Sequence, residues 1–109
     1  MSFVLIASMR ALNKEAAEEL IPLLKAVAAR ANSDEEAGTL RFEPVRDQKD
    51  PLNFVIMEEY ASKQAVGVHA AGEAFKNLGR AGARLIEGGG KGIKLTTFDR
   101  LTAVPKSKL

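Results

Sequence analysis

The stretch from Leu40 to Phe75 constrains the fold of this chain more tightly than any other. It spans two runs of alternating residues, 39–46 and 53–60, separated by a turn at 47–52 with Asp50-Pro51 as its punctuation. Period-two alternation predicts strands. In the first run Leu40 and Phe42 oppose Arg41 and Glu43; in the second, Phe54 and Ile56 oppose Val55 and Met57. Pro44 cannot donate to a ladder, so the first run is predicted to be an edge strand. The second leads without a linker into a helix capped by Ser62 and carrying Ala65, Val66, Val68 and His69. His69 is the only histidine, and imidazole is the side chain best suited to move a proton near neutral pH.

The flanking sequence completes a pattern. Phe3 to Arg10 alternates with apolar residues on both faces, which predicts a central strand. Asn13 is placed to cap a helix along Ala16, Ala17, Leu20, Leu23, Leu24, Val27 and Ala31. Pro22 inside that helix predicts a kink or a short break. Gly72 ends the helix of His69, and a further helix begins near Glu73 with Phe75, Leu78, Gly82, Leu85 and Ile86 on one stripe. Gly88 to Gly92 reads as a flexible loop. A last strand, 93–101, is predicted with Ile93 and Leu95 inward. The order is β-α-β-β-α-β, the ferredoxin-like split βαβ arrangement of the α+β class. Right-handed crossovers put the helices on one face of a four-stranded antiparallel sheet. The other face stays bare, apolar and suited to packing against a second copy, so a homodimer is expected.

Composition excludes several classes. With 109 residues the chain is one domain, read as 1–103 followed by a flexible tail at 104–109. No cysteine is present, so there is no thiolate nucleophile and no thiolate metal site; one histidine argues against a histidine-rich one. A net charge of +2 spread along the chain is no nucleic-acid footprint. No apolar run approaches the ~18 residues of a membrane span. Gly88 to Gly92 is no phosphate loop, because Gly92 stands where Ser or Thr is required and a strand follows instead of a helix. The chain finishes Ser107-Lys108-Leu109, the tripeptide read by the peroxisomal import receptor. In a eukaryote that tail directs the protein to peroxisomes; otherwise the expectation is cytoplasmic.

The residues Gly38-Thr39-Leu40-Arg41-Phe42-Glu43, then Asp47 and Pro51, then Phe54 through Tyr60, Ala65, His69 and Phe75, resemble the antibiotic biosynthesis monooxygenase (ABM) domain. The resemblance covers nearly the whole chain, from Phe3 to about Leu101. It implies a dimeric α+β barrel. It also implies one of several activities: oxygenation of anthrone- or quinol-like aromatics without metal or flavin, haem degradation, or isomerisation of a small sugar phosphate. The oxygenase and haem branches often carry tryptophan where this chain has Tyr60. The haem branch places an asparagine in the first strand, where Ala7 and Ser8 stand, and a histidine on the helix after Phe75, where 76–86 contains none. Haem degradation is therefore disfavoured.

The first functional reading is a cofactor-free monooxygenase acting on a small aromatic or polyketide-like molecule. His69 would hold or take a proton and Tyr60 would orient the substrate, with Phe42, Phe54, Glu58 and Phe75 lining the pocket. The alternatives are a non-catalytic homodimer that binds a small hydrophobic molecule, or a proton-transfer isomerase using the same pocket. Each residue also has a plainer role. His69 could donate to a core carbonyl, Tyr60 could be a half-buried aromatic, and the phenylalanines could be ordinary core. Glu58 and Glu59 point to opposite faces, and at least one is expected to form a surface or intersubunit salt bridge with Arg10 or Arg41.

Overall fold

The computed structural model describes residues 2–103. The tail tripeptide lies outside the described residues. Strand β1 spans Phe3–Arg10, β2 Thr39–Arg46, β3 Asn53–Tyr60 and β4 Lys94–Asp99. Helices α1 (Lys14–Ala31), α2 (Lys63–Ala70) and α3 (Glu73–Leu85) connect them. The sheet order is β2-β3-β1-β4, antiparallel throughout, so the two apolar strands are central and the two polar ones are edges.

Local chemistry explains the boundaries. The Asn13 side chain accepts from the Ala16 amide at 2.9 Å and starts α1. Contrary to one expectation, α1 runs through Pro22 without a break. Its buried stripe is Ala16, Ala17, Leu20, Leu24, Val27 and Ala31. Ser62 caps α2 through the Ala65 amide, and Gly72 separates α2 from α3. At the end of α1, Asn32 reaches the outer edge of β2. Its amide nitrogen donates to the Phe42 carbonyl at 2.9 Å, and its oxygen accepts from the Phe42 amide at 3.1 Å. One side chain thus occupies a backbone pair that an edge strand would otherwise present to another chain.

Three details differ from the sequence reading. A bulge lies between Thr39 and Arg41 in the β2–β3 register. It turns Thr39 and Phe42 inward together and leaves Leu40 exposed. The glycine run forms a 3-10 turn at Gly89–Gly92, with positive φ at Gly88 and Gly89. A Cβ on Gly92 would lie 1.7 Å from the Glu87 carbonyl oxygen, so that turn closes tightly on its own backbone. Finally, β4 starts at Lys94, and Leu95 is 63% exposed although it pairs with Ala7. The three helices leave β4 uncovered.

The helix-side rows of the sheet position the site. Phe3, Tyr60 and Thr39 share the first row, and Leu5, Glu58 and Phe42 the second. On the other face Val4, Ile6, Val55 and Met57 are only partly buried, and Phe98, across from Val4, is 45% exposed.

Candidate functional site

His69 stands at the end of α2 and is 3% exposed. Its Nδ1 lies 2.7 Å from Oε1 of Glu36, which is itself 2% exposed. Glu36 belongs to a single 3-10 turn between α1 and β2, at Asp34–Glu36. Two further donors reach the same carboxylate: the Thr39 hydroxyl on Oε1 at 2.8 Å and Arg30 NH1 on Oε2 at 2.5 Å. A carboxylate has enough lone pairs for all three. It therefore takes a proton donor from His69 and places the imidazole hydrogen on Nδ1. In the neutral ring that leaves the Nε2 lone pair open.

Small residues make this packing possible. A Cβ on Gly38 would approach the Ala65 Cβ to 2.6 Å, so glycine lets the start of β2 close on α2. A Cβ on Gly72 would overlap the Arg30 guanidinium at 2.2 Å, so the α2–α3 junction lies directly on Arg30.

Nε2 of His69 is buried and meets no hydrogen-bond partner among the described residues. An unmade hydrogen bond on a buried group costs about 1–3 kcal/mol, so native proteins rarely leave one without use. Around the imidazole stand three aromatic rings. Phe42 is 5.0 Å away between centroids, Phe75 5.1 Å edge-on, and Tyr60 5.6 Å. Phe42 and Tyr60 are fully buried, whereas Phe75 is 38% exposed. Tyr60 also packs against Phe3 at 6.0 Å.

The Tyr60 hydroxyl donates to Oε1 of Glu58. Burial drives the Glu58 carboxyl up to about 7, and the tyrosine hydrogen bond only partly opposes it. Burial, helped by the Glu58 hydrogen bond and the Glu58 and Glu36 charges, raises Tyr60 well above an ordinary phenol. Tyr60 therefore keeps its proton. Glu59, on the opposite face, is different. Arg100 binds it bidentately at 2.6 and 2.7 Å, Ser2 adds a third donor, and its carboxyl is held below the usual range. Within the subunit, neither Glu58 nor Glu59 pairs with Arg10 or Arg41 among the described residues. Arg10 pairs with Asp50 and Glu87, and Arg41 with Glu43.

Of the sequence-predicted residues, His69, Tyr60, Glu58, Phe42 and Phe75 come together at one end of the sheet. Phe54 does not. It lies six residues from Tyr60 on the same strand, about 20 Å away at ~3.3 Å per residue. The residues sequence reasoning missed are Glu36, Arg30 and Thr39. Glu36 ends an acidic run, and the only hint of its burial is the small pair Ala37-Gly38 that follows. Surface clefts flank the cluster, and none of the four that open around the sheet is lined by His69 or Tyr60. An open one of about 810 Å³ runs past Phe3, Ser62, Lys63 and Thr97. A smaller apolar one of about 120 Å³ lies against Phe75, Leu78 and Ile93.

This fold has relatives. The family model described as antibiotic biosynthesis monooxygenase matches residues 2–81. The chain belongs to the ABM family. The solved structure of PA3566 from Pseudomonas aeruginosa is 27% identical, with a TM-score of 0.80 over 93% of this chain and 95% of that one. A structure described as antibiotic biosynthesis monooxygenase is 25% identical, with a TM-score of 0.75 over 92% of this chain and 99% of that one. Rv0793 from Mycobacterium tuberculosis, at 18% identity, shares the fold with a TM-score of 0.80, covering 96% of this chain and 100% of that one. Among curated proteins there is no match. The ABM assignment agrees with the split βαβ order, with an extra helix break at Gly72.

The Glu58 carboxyl makes a prediction about stability. Folded, it holds its proton to about 7; its ordinary value is 4.5. The native state therefore binds more protons between those values, and stability falls as pH rises through that window. Glu58→Gln removes this loss. From pH 4 to pH 8, urea unfolding should show the variant gaining up to about 3 kcal/mol on the wild type. Parallel stability curves would contradict the assignment.

Proposed function

We propose that this ABM protein is a cofactor-free monooxygenase of a small quinol-like or polyketide-like aromatic. The observation that carries the reading is a buried histidine whose Nδ1 is held by a carboxylate and whose Nε2 is unpartnered inside a cage of rings. That is the arrangement of a general base with an orienting group. Nε2 takes a proton from the substrate, and Glu36 stabilises the imidazolium that forms. The substrate anion, held against Phe75 at the edge of the cage, reduces dioxygen and forms a carbon–oxygen bond. One oxygen stays on the ring carbon; the other leaves as water with the two hydrogens the substrate lost. Phe75 is the half-exposed member of the cage and also lines the small adjoining cleft, so a substrate would approach from that side.

The closed packing around His69 favours one competing reading, a binding protein that holds a hydrophobic molecule in the open cleft beside Phe3. Oxygen uptake separates the two. With 1,4-naphthohydroquinone the wild type should consume oxygen above the uncatalysed rate, and His69→Ala should lose at least roughly 100-fold while staying folded. Turnover without oxygen uptake would point instead to isomerisation. Binding without turnover would leave only the binder.

Two further parts of this reading concern partners. The uncovered face with Val4, Ile6, Val55, Met57 and Phe98 is proposed to pack against the same face of a second copy. Sedimentation should show a dimer at micromolar concentration, and Ile6→Glu should yield a folded monomer. A wild-type monomer would refute the pairing. The tail Ser107-Lys108-Leu109 is proposed to engage the peroxisomal import receptor. In eukaryotic cells a fluorescent fusion carrying this tail should be punctate and become diffuse when the three residues are deleted. Unchanged distribution would discard the address.

A further inference from the structure

Three carboxylates are buried among the described residues: Glu36, Glu58 and Glu59. Glu36 is paired with Arg30 and Glu59 with Arg100. Glu58 has no cation among the described residues. Its single hydrogen-bond partner there is the Tyr60 hydroxyl, on Oε1. Strand β1 sets Leu5 beside it and β2 sets Phe42, both apolar. The titratable groups nearby are Tyr60 on its own strand, Glu36 from the turn before β2 and His69 from α2. Arg30 from α1 is engaged on Glu36, and the buried stripe of α1 is apolar. A carboxylate needs counter-charge or several donors to be stable when buried. Glu58 has one phenol, so its surroundings favour the protonated form over the ionised one.

A phenol has one proton to donate. We propose that Glu58 and Tyr60 form a two-position hydrogen-bond switch: ionised Glu58 holds the Tyr60 hydroxyl to itself, and protonated Glu58 donates to the Tyr60 oxygen and frees that hydroxyl to point toward the His69 cage. The exchange takes one proton from solvent onto the Glu58 carboxylate and makes or breaks no other covalent bond. Tyr60 never ionises; it only changes its acceptor. The inference rests on the proposed oxygenase reading for its purpose. In the freed position the hydroxyl donates to the oxygen that gains negative charge when His69 takes the substrate proton, which is where a fixed donor lowers the barrier most. Tyr60 is then the substrate-touching group and Glu58 its positioning residue.

Tyr60 is the only tyrosine, so the switch can be read directly. In protein labelled with 13C at the tyrosine Cζ and at the glutamate carboxyl carbons, the Tyr60 resonance should titrate between pH 5 and 9. Its midpoint should coincide with that of Glu58, near 7. Glu58→Gln should abolish the Tyr60 titration. A pH-independent Tyr60 resonance in the wild type would overturn the switch without any variant. So would a titration that survives Glu58→Gln. Oxygen uptake with 1,4-naphthohydroquinone judges the enzyme reading separately. If turnover occurs, kcat/KM should fall about tenfold per pH unit above the shared midpoint in the wild type. In Glu58→Gln that fall should disappear, and Tyr60→Phe should lose rate mainly below the midpoint. Coincident titrations without turnover would leave the switch standing and sink the oxygenase reading. A rate profile that ignores Glu58→Gln would overturn the switch as a positioning device.

Discussion

The Glu36 carboxylate is the knot on which the aromatic end of this protein depends. It receives Arg30 from the last turn of α1, Thr39 from the start of β2 and His69 from the end of α2. Three elements distant in sequence are therefore registered on two oxygen atoms. Arg30 supplies the counter-charge, and leaving a buried carboxylate without one costs about 3–5 kcal/mol. The same bonds orient the imidazole. Gly38 and Gly72 are the steric conditions of the knot, because a Cβ at either position would push α2 or Arg30 away.

Around that knot the sheet separates two kinds of carboxylate. Glu58 and Glu59 are neighbours in sequence and opposites in chemistry. Alternation along β3 sends one toward the helices and one toward the bare face. Glu59 meets Arg100 and stays ionised; Glu58 meets only Tyr60 and is driven toward neutrality. Two adjacent residues with the same side chain are thus given different charges by the face they occupy. This chain thus carries one fixed charge on the bare face and one carboxyl driven toward neutrality beside the aromatic cage.

Much of the fold was legible because it rests on periodicity. Central β1 and β3 announced themselves by apolar residues on both faces, Pro44 marked an edge, and Ser62 and Gly72 bounded α2. The bulge at Leu40 was not legible, since a one-residue slip leaves the alternation looking intact on either side of it. At the site, His69, Tyr60, Phe42, Phe75 and Glu58 could be nominated from composition and family spacing. Glu36 could not. Its neighbours Asp34 and Glu35 are equally acidic, and only the three-dimensional closure of the loop on Ala65 buries one of the three. Phe54 was nominated for the same reason as Phe42, an aromatic facing inward. The strand predicted over 53–60 already set it six residues from Tyr60, at the far end of the sheet. The ion pair of Arg100 with Glu59 joins residues 41 apart and has no sequence signal.

The proposed chemistry turns on which nitrogen of His69 is free. Nitrogen-15 NMR of histidine-labelled protein reports the tautomer directly and has one ring to resolve. The Glu36–His69 pairing predicts a protonated Nδ1, an unprotonated Nε2, and a shift of the Nε2 resonance when 1-naphthol is added as a quinol mimic. A ring protonated at Nε2, or an Nε2 resonance that 1-naphthol does not move, would contradict it and leave His69 as a core residue.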